Sequence, residues 1–318
     1  MPATQERPIA LFHEHPDWFR PLFAELERRG TPYVRIPAAA HGYDPDAQPP
    51  YSLVFNRMSP SAYLRGAGNA IFYTQSWLDW LERAGTRVVN GRAAYGVETS
   101  KAVQINLLRR LGLPHPRTRV INHPSQAPAA AEGLRYPVAV KPNIGGSGAG
   151  VRRFDTPEAL EAASRNGLAL GIDSVGLVQE FVPAQDGRIV RVEVLGGKFL
   201  YGIRIYTTGE TFDLCPADVC QRVDGAELER LACPADAPKN RLRVEGYTPP
   251  DEIVAQVEAI MAEAGIEVGG VEYFVDARDG KHYFYDVNAL SNFVADAPRV
   301  VGFDPFARLA DYLEAEAR

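Results

Sequence analysis

The sequence predicts a small parallel α/β domain followed by a larger α+β region, and three observations support this fold class. The chain has 318 residues, more than one small domain usually holds, which indicates two or three packed subdomains. Near the N-terminus, apolar segments alternate between strand and helix spacing, as in units with parallel strands. Farther along the chain, pairs of apolar strands flank short glycine-containing turns, which indicates antiparallel hairpins.

The composition limits the classes of partner. Hydrophobic residues make up 46% of the chain and charged residues 23%, so a sizeable core can be buried. The formal net charge of −6 disfavours a nucleic-acid partner, which would require a basic face. No apolar run reaches the roughly 18 residues that span a bilayer, and the N-terminal MPATQERPIALF does not resemble a signal peptide. We therefore expect no membrane segment and a cytoplasmic location.

The three cysteines are Cys215, Cys220 and Cys233. An odd number without a CxxC pair argues against a disulfide framework and against a zinc knuckle. A metal site made by these thiolates with nearby acids such as Asp218 stays open as an alternative.

The first 95 residues are predicted to form the parallel α/β domain. The segment Pro8–Phe12 is a short apolar strand. Apolar residues at helical spacing over Trp18–Arg29 predict a helix that Gly30 ends. Strands at Tyr33–Ile36 and Ser52–Phe55 complete the alternation.

Polar residues follow two of these strands. His13 and His15 come after the first strand, and Arg57 comes after the third. The carboxyl ends of parallel strands usually face a ligand crevice, so Arg57 could hold a substrate carboxylate or belong to a capped turn. Loop histidines are more often exposed than catalytic, and we expect His13 and His15 to be exposed.

The central region contains a lysine-bearing strand and a glycine loop. A helix is predicted over residues 100–112 with Lys101 at its start, and the apolar strand Pro137–Lys141 ends in a lysine. The segment Asn143–Gly150, NIGGSGAG, follows this strand. Glycines let backbone N–H groups approach phosphate oxygens, and a lysine can place its point charge on a phosphate. The loop does not match GxxxxGK[ST], and a tight turn with solvated lysines is the alternative.

The remaining predicted elements follow in chain order. They are a strand at Val151–Phe154, a helix at Thr156–Ser164, a strand at Leu177–Val182, a hairpin of Ile189–Leu195 with Lys198–Tyr206, a helix at Pro250–Ala264, and strands at Gly270–Asp276 and His282–Asn288.

Acidic side chains interrupt the last two strands. Glu272 and Asp286 lie on neighbouring strands, and Asn288 shares a strand face with Asp286. Two carboxylates and an amide oxygen are ligands that Mg²⁺ prefers, with phosphate oxygens completing its coordination. Asp276 fits a turn better, although it lies on the same strand face as Glu272.

The order of these features resembles the ATP-grasp superfamily, and within it the glutamate ligase-like branch of carboxylate–amine ligases. The resemblance covers about residues 98 to 310. It implies a pre-ATP-grasp α/β domain over residues 1–95, a central subdomain over residues 96–182, and a C-terminal subdomain over residues 183–318. ATP would lie between the last two.

The resemblance also implies roles for individual residues. Lys101 and Lys141 would contact the ATP phosphates, and the glycine loop would close over them. The loop residues are Gly145, Gly146, Ser147 and Gly148, and the adenine-binding hinge residues are Gln179, Glu180, Phe181 and Val182. Asp186 would hold the ribose. Glu272, Asp286 and Asn288 would bind Mg²⁺, with Mn²⁺ as an alternative.

Arg191 and Arg204 would lie near the transferred phosphoryl group, facing the same side if their hairpin is regular. Arg191 could instead pair with Glu193.

The implied activity is ADP-forming amide or peptide bond formation through an acyl phosphate. The substrates would be a small-molecule or peptide carboxylate and an amine, and a homodimer is one expectation. Two alternatives are an ATP-grasp phosphotransferase or carboxylase that makes no amide, and a nucleotide-binding regulatory or scaffold protein.

The chain departs from the glutamate ligases where the substrate is expected to bind. Ile189 stands where they carry an aspartate, two residues before Arg191, and residues 211–220 lack their basic, asparagine-containing segment. The segment after Asn288 lacks their proline and offers Ser291 and Asn292 instead. The resemblance therefore does not identify glutamate as the substrate.

Overall fold

The structure, a computed structural model, describes residues 7–15, 17–146, 148–206 and 243–318. Its strands in chain order are β1 Ile9–His13, β2 Tyr33–Pro37, β3 Leu53–Arg57, β4 Arg87–Val89, β5 Thr118–Ile121, β6 Val138–Pro142, β7 Arg152–Phe154, β8 Gly176–Glu180, β9 Arg188–Leu195, β10 Lys198–Tyr206, β11 Arg243–Gly246, β12 Val268–Val275 and β13 His282–Asn288. Its α-helices are α1 Arg20–Arg29, α2 Gly68–Arg83, α3 Arg92–Glu98, α4 Lys101–Arg110, α5 Ala127–Ala131, α6 Pro157–Arg165, α7 Asp251–Ala264, α8 Ala297–Val301 and α9 Pro305–Glu316.

The first sheet is parallel, in the order β2-β1-β3-β4. All five residues of β1 are buried because the sheet is covered on both faces. Alternate residues of β1 point to opposite faces, so Leu11 packs with Leu22 of α1 while Phe12 packs with Trp77 of α2. This is the parallel α/β unit that the sequence predicted, and the antiparallel sheets that follow form the predicted α+β region, so the described residues confirm the predicted fold class.

The second sheet is antiparallel, in the order β5-β8-β6-β7. Its apolar face packs with α5 and α6 around Val138, Val140, Val178 and Leu160. The helix predicted from Thr156 begins at Pro157, and Thr156 caps it, its side chain accepting a hydrogen bond from the Ala159 N–H at 3.3 Å. The glycine loop leaves this sheet at the end of β6.

The third sheet is antiparallel, in the order β11-β10-β9-β12-β13. One face packs with α7, where Val192 and Val271 meet Val257 and Ile260. The other face carries Ile189, Ile203 and Ile205, which share a core with Leu309 and Leu313 of α9. The same core contains Leu11 and Leu53 of the first sheet. The first and third sheets therefore pack together through one continuous apolar core.

A β-bulge changes the predicted hairpin of β9 and β10. Phe199 pairs with Val194, but Tyr201 pairs with Glu193, so Leu200 is an extra residue in β10. A shift by one residue moves every later side chain to the other face of the sheet. Arg204 consequently pairs with Val190 and does not share the face of Arg191.

The prediction that Arg204 lies near the transferred phosphoryl group is therefore wrong. Its guanidinium lies 3.6 Å from the centre of the Tyr247 ring and 3.9 Å from Glu245.

The element bounds otherwise differ from the predictions mainly at the ends. The helix predicted over residues 100–112 begins at Lys101, capped by Ser100, and ends at Arg110. Helix α2, which buries Trp77 and Leu78, had no counterpart in the sequence predictions. In the described part of the chain, no helix is both long enough and apolar enough to cross a membrane.

Candidate active site

A cavity of about 720 Å³ lies between the second and third sheets. Its walls come from β6, β8 and the glycine loop on one side and from β9, β12 and β13 on the other. Residues 59–61 and Trp18 of the first unit also line it. This volume lies within the usual range for a site that encloses a small molecule or cofactor.

A row of charged side chains crosses the wall formed by the third sheet. The register pairs Glu272 with Arg191 of β9 on one side and with Asp286 of β13 on the other. Arg191 Nη1 donates to Glu272 Oε1 at 2.9 Å, and Lys101 Nζ donates to Asp286 Oδ1 at 2.5 Å. The row therefore places two neighbouring acidic groups, Glu272 and Asp286, between two cations, Arg191 and Lys101.

Two further side chains hold this row. Arg191 Nε donates to Glu193 Oε1 at 2.5 Å, and the Tyr285 hydroxyl donates to Glu272 Oε2 at 2.5 Å. Arg191 is 1% exposed and Glu193 is 1% exposed, so their pairing is buried. Arg191 therefore lines the cavity and also makes the pairing with Glu193 that the sequence left as an alternative.

The surroundings of the carboxyl groups shift their pKa values in different directions. Burial raises the pKa of Glu272, although Arg191 opposes this shift. Burial also disfavours a charge on Asp286, but Lys101 and Lys141 outweigh it and lower the pKa of that carboxyl. Burial raises the pKa of Glu98, whose carboxylate accepts from the Ala289 N–H, to about 7. Sequence reasoning missed Glu98, which also lines the cavity, because no motif marks it.

Lys101 and Lys141 both line the cavity and differ in their partners. Burial opposes the charge of Lys101, yet Asp286 raises its pKa. Burial and the nearby Lys101 lower the pKa of Lys141 to about 8. Lys141 Nζ lies 6.0 Å from the centre of the Tyr285 ring.

The start of the glycine loop is fixed to the N-terminus of α4. The Asn143 side-chain oxygen accepts from the Ala102 N–H at 2.9 Å and from the Ser100 hydroxyl at 3.0 Å. The Lys101 N–H donates to the Asn143 carbonyl at 3.2 Å. These bonds explain why two lysines forty residues apart in sequence line one cavity.

The glycine loop itself forms part of the wall. Gly145, Gly146 and Gly148 line the cavity, whereas Ser147 lies outside the described residues. Gly150 has φ +73°, and a Cβ there would lie 2.8 Å from Pro142 Cγ, so only glycine fits.

The hinge residues Gln179, Glu180, Phe181 and Val182 all line the opposite end of the cavity. Glu180 Oε1 accepts from the Arg135 N–H at 2.9 Å, and the Phe181 N–H donates to the Pro137 carbonyl at 2.9 Å. The Arg153 guanidinium lies 4.6 Å from the centre of the Phe181 ring. Among the described residues, the Val182 N–H donates to no backbone carbonyl, so it could donate to the edge of a planar ligand.

The structure contradicts the role expected for Asp186. Its side chain is 60% exposed, pairs with Arg188 at 3.3 Å, and does not line the cavity, although the adjacent Gly187 does. Its backbone is left-handed, with φ 55°, and forms a turn. Asp276 is buried and held by Arg278 at 2.7 Å, so it acts as the turn residue that the sequence favoured.

The residues of the first unit differ from their predicted roles. Arg57 is buried and donates to the Ser291 carbonyl and, at 3.3 Å, to Asn292 Oδ1, so it connects the first unit to the segment after β13. His13 is also buried rather than exposed, and burial together with Arg35 lowers its pKa to about 4. His15 stacks on Trp18 with ring centres 4.5 Å apart.

The donor set suits a divalent cation that arrives with phosphate. Glu272, Asp286 and Asn288 all line the cavity, and each carboxylate offers more lone pairs than the partners given above occupy. Within the described residues no group of three or more His, Cys, Asp or Glu is arranged for a metal. Two carboxylates and an amide would leave positions for phosphate oxygens, which fits Mg²⁺.

Comparison with known proteins agrees with this geometry. A family profile described as a RimK-like ATP-grasp domain matches residues 98–212, which contain both lysines, the glycine loop and the hinge. Residues 98–212 are therefore similar to a RimK-like ATP-grasp domain. The solved structure of the ATP-grasp ligase PsnB complexed with a minimal precursor matches at a TM-score of 0.65 and 20% identity, covering 99% of this chain and 100% of that chain.

Two curated relatives are similar to about half of this chain. The D-alanine–D-alanine ligase of Geobacter sulfurreducens is 29% identical over 175 residues, 52% of this chain and 54% of that protein. The probable alpha-L-glutamate ligase of Teredinibacter turnerae is 29% identical over 163 residues, 51% of each chain. The chain thus spans about half the length of these curated relatives.

Proposed function

We propose that this protein is an ADP-forming carboxylate–amine ligase that makes an amide or peptide bond through an acyl phosphate. One observation carries the proposal. The charged row Arg191–Glu272–Asp286–Lys101 faces the same cavity as Lys141, the glycine loop and the hinge. This cavity brings together a place for a planar base, cationic groups for phosphates, and oxygen ligands for a metal.

The nucleotide would extend along the cavity from the hinge to the charged row. Its adenine edge would meet the backbone of Phe181 and Val182, because the Glu180 carboxylate already accepts from the Arg135 N–H. Lys101 and Lys141 would bind the phosphates, with Gly145, Gly146 and Gly148 covering them.

Glu272, Asp286 and Asn288 would hold Mg²⁺, which neutralises negative charge on the phosphates when bound. Lys101 would exchange its contact with Asp286 for a phosphate oxygen when the metal and nucleotide bind. The Arg191 guanidinium is fixed by Glu193 and keeps Glu272 oriented. It also lines the cavity, where it would stabilise negative charge that develops on the transferred phosphoryl group.

In the reaction, a carboxylate oxygen of the acid attacks the γ-phosphorus of ATP and ADP leaves. The glycine loop shelters the acyl phosphate from water. The amine then attacks the acyl carbon, phosphate leaves with the former carboxylate oxygen, and a proton is lost from nitrogen.

The acid is proposed to be an amino acid or the carboxylate of a peptide. The relatives are named for joining D-alanine to D-alanine and for ligating glutamate, and PsnB is described with a precursor peptide. Ile189 lines the cavity where glutamate ligases carry an aspartate, so we do not assign glutamate as the substrate.

The proposal is tested by ADP release from Mg²⁺-ATP with a panel of amino acids, dipeptides and peptides, offered singly and in pairs. We expect release that requires both an acid and an amine and that is lost in Lys141→Ala. The matched control is Lys198→Ala, because Lys198 is 77% exposed and lies outside the cavity. Acid-dependent ADP release without amide formation would instead favour a phosphotransferase, and absence of nucleotide binding would overturn the proposal.

A further inference from the structure

The first unit contributes a pair of serines to the cavity that no motif marks. Ser59 and Ser61 follow β3 in a tight turn, are 2% and 3% exposed, and both line the cavity with Pro60 between them. Small polar residues buried at this depth must direct their hydroxyl groups to specific partners.

The hydrogen bonds of the two serines use only one of their two hydroxyl donors. Ser59 Oγ and Ser61 Oγ lie 2.8 Å apart, so one hydroxyl donates to the other. Ser59 Oγ also accepts from the Ser61 N–H at 3.2 Å, and Ser61 Oγ accepts from Arg65 Nη2 at 3.2 Å. Two hydroxyls bring two O–H donors and the mutual bond uses one. No second acceptor for the pair occurs among the described residues, so the remaining O–H suits an acceptor in the cavity.

A partly buried ion pair supports this donor. Arg65 Nη2 donates to Glu14 Oε2 at 2.6 Å and Arg65 Nε to Glu14 Oε1 at 2.9 Å, so the guanidinium is fixed in orientation. The same Nη2 contacts Ser61 Oγ. A hydroxyl that accepts from a cation is polarised and becomes a better donor to an anionic oxygen.

The position of the pair indicates which anion it meets. A Cβ added to Gly146 would lie 3.3 Å from Ser61 Cβ and 3.8 Å from Ser61 Oγ, so the glycine loop passes directly over the serine turn. The turn is therefore at the phosphate end of the cavity, remote from the hinge. A nucleotide extended from the hinge would present its terminal phosphate to this turn.

We propose that the Ser59–Ser61 hydroxyl pair donates a hydrogen bond to a γ-phosphoryl oxygen of bound ATP, and so distinguishes ATP from ADP. This inference rests on the proposed function, because it uses the nucleotide orientation assumed there. It gives the first unit a direct part in phosphoryl transfer, as the wall that meets the transferred group.

The test compares the affinities of Mg²⁺-AMPPNP and Mg²⁺-ADP, measured by calorimetry on the full chain. Either single serine can still donate alone, so the decisive variant is Ser59→Ala/Ser61→Ala. We expect its affinity for AMPPNP to fall about tenfold or more, as for loss of a hydrogen bond to a charged group. Its affinity for ADP should stay within about twofold. Ser125→Ala, on an exposed turn, is the matched control and should change neither affinity.

The outcomes separate the inference from the proposed function. An equal loss for ADP and AMPPNP would show that the serines only support the fold, and no loss for either would show that they do not contact the γ-phosphate. Both results overturn the inference while leaving nucleotide binding intact. If the unmodified protein binds neither nucleotide, the proposed function fails and the inference falls with it.

Discussion

Lys101 and Lys141 carry the same side chain, yet the structure gives them different surroundings. Lys101 contacts Asp286 at 2.5 Å, which raises its pKa, so it stays charged through the neutral and mildly alkaline range. Burial and the proximity of Lys101 lower the pKa of Lys141 to about 8. A phosphate bound between them would favour the charged form of Lys141, so phosphate binding should take up a proton above pH 8.

We therefore predict that ADP affinity falls as pH rises through about 8, by up to about tenfold per pH unit beyond it. Lys141 is protonated below this pH and loses its charge above it, and Lys101 does not titrate in that range. Calorimetric titration of Mg²⁺-ADP between pH 8 and 9.5 measures the effect above the range in which Glu98, with a pKa of about 7, changes charge. Lys141→Arg keeps its charge and should give a flat profile. Identical slopes for the two proteins would show that another group titrates.

At the scale of the element, the strands and the glycine loop follow from local patterns in the sequence. Apolar runs predicted β1, β6 and β8, because strands buried on both sides read as continuous hydrophobic segments. The extra residue Leu200 was not predictable, since a bulge depends on how both faces of a hairpin pack. That single residue places Arg204 on the face of the sheet opposite Arg191, away from the cavity.

Two glycine substitutions can distinguish the effect of backbone strain from the effect of a steric clash in the glycine loop. Gly150→Ala should weaken Mg²⁺-AMPPNP binding about tenfold, because a Cβ 2.8 Å from Pro142 Cγ must displace the loop that we propose to cover the phosphates. Gly167→Ala is the control, because Gly167 also has a positive φ, +89°, but open space around its Cα. Both variants carry the same backbone cost, about 1 kcal/mol. Equal AMPPNP affinities in the two variants would contradict the covering role of the loop.

At the scale of the whole molecule, the first unit is joined to the C-terminal region by polar and apolar contacts. Asn90 is 1% exposed and donates to the carbonyls of Val268 and Ala289, each at 2.5 Å. Its side-chain oxygen accepts from the Glu267 N–H at 3.0 Å and the Val268 N–H at 3.2 Å. One side chain thus satisfies four backbone groups of another part of the chain.

We predict that Asn90→Ala lowers the free energy of unfolding by about 3 kcal/mol or more, because several buried backbone groups lose their partner. Urea denaturation measures this change, and the unmodified protein should unfold in one transition because its first and third sheets share a core. Asn166→Ala, at an exposed helix end, should stay within about 0.5 kcal/mol. Separate transitions for the two regions in the unmodified protein would contradict the shared core.

Contacts between distant parts of the chain limit how much of the site the sequence can predict. Lys101, Lys141, Glu272 and Asp286 each lie in a recognisable local pattern, so they could be proposed before the structure was known. Ser61 lies in no such pattern. Trp18 begins a predicted helix and Ser59 follows the third strand, but only the packing of the first unit brings these side chains to the cavity. Arg57 follows a parallel strand, a position typical of ligand-binding residues, but its guanidinium donates to the Ser291 carbonyl instead.

The transfer of oxygen from the acid to phosphate tests the central proposal most directly. The acid identified by the ADP assay is labelled with ¹⁸O in its carboxylate and incubated with its amine, Mg²⁺-ATP and the protein. An acyl phosphate formed at the γ-phosphorus requires one ¹⁸O atom in each inorganic phosphate released, together with ADP and amide in equal amounts. Unlabelled phosphate, or formation of AMP and diphosphate, would contradict the account.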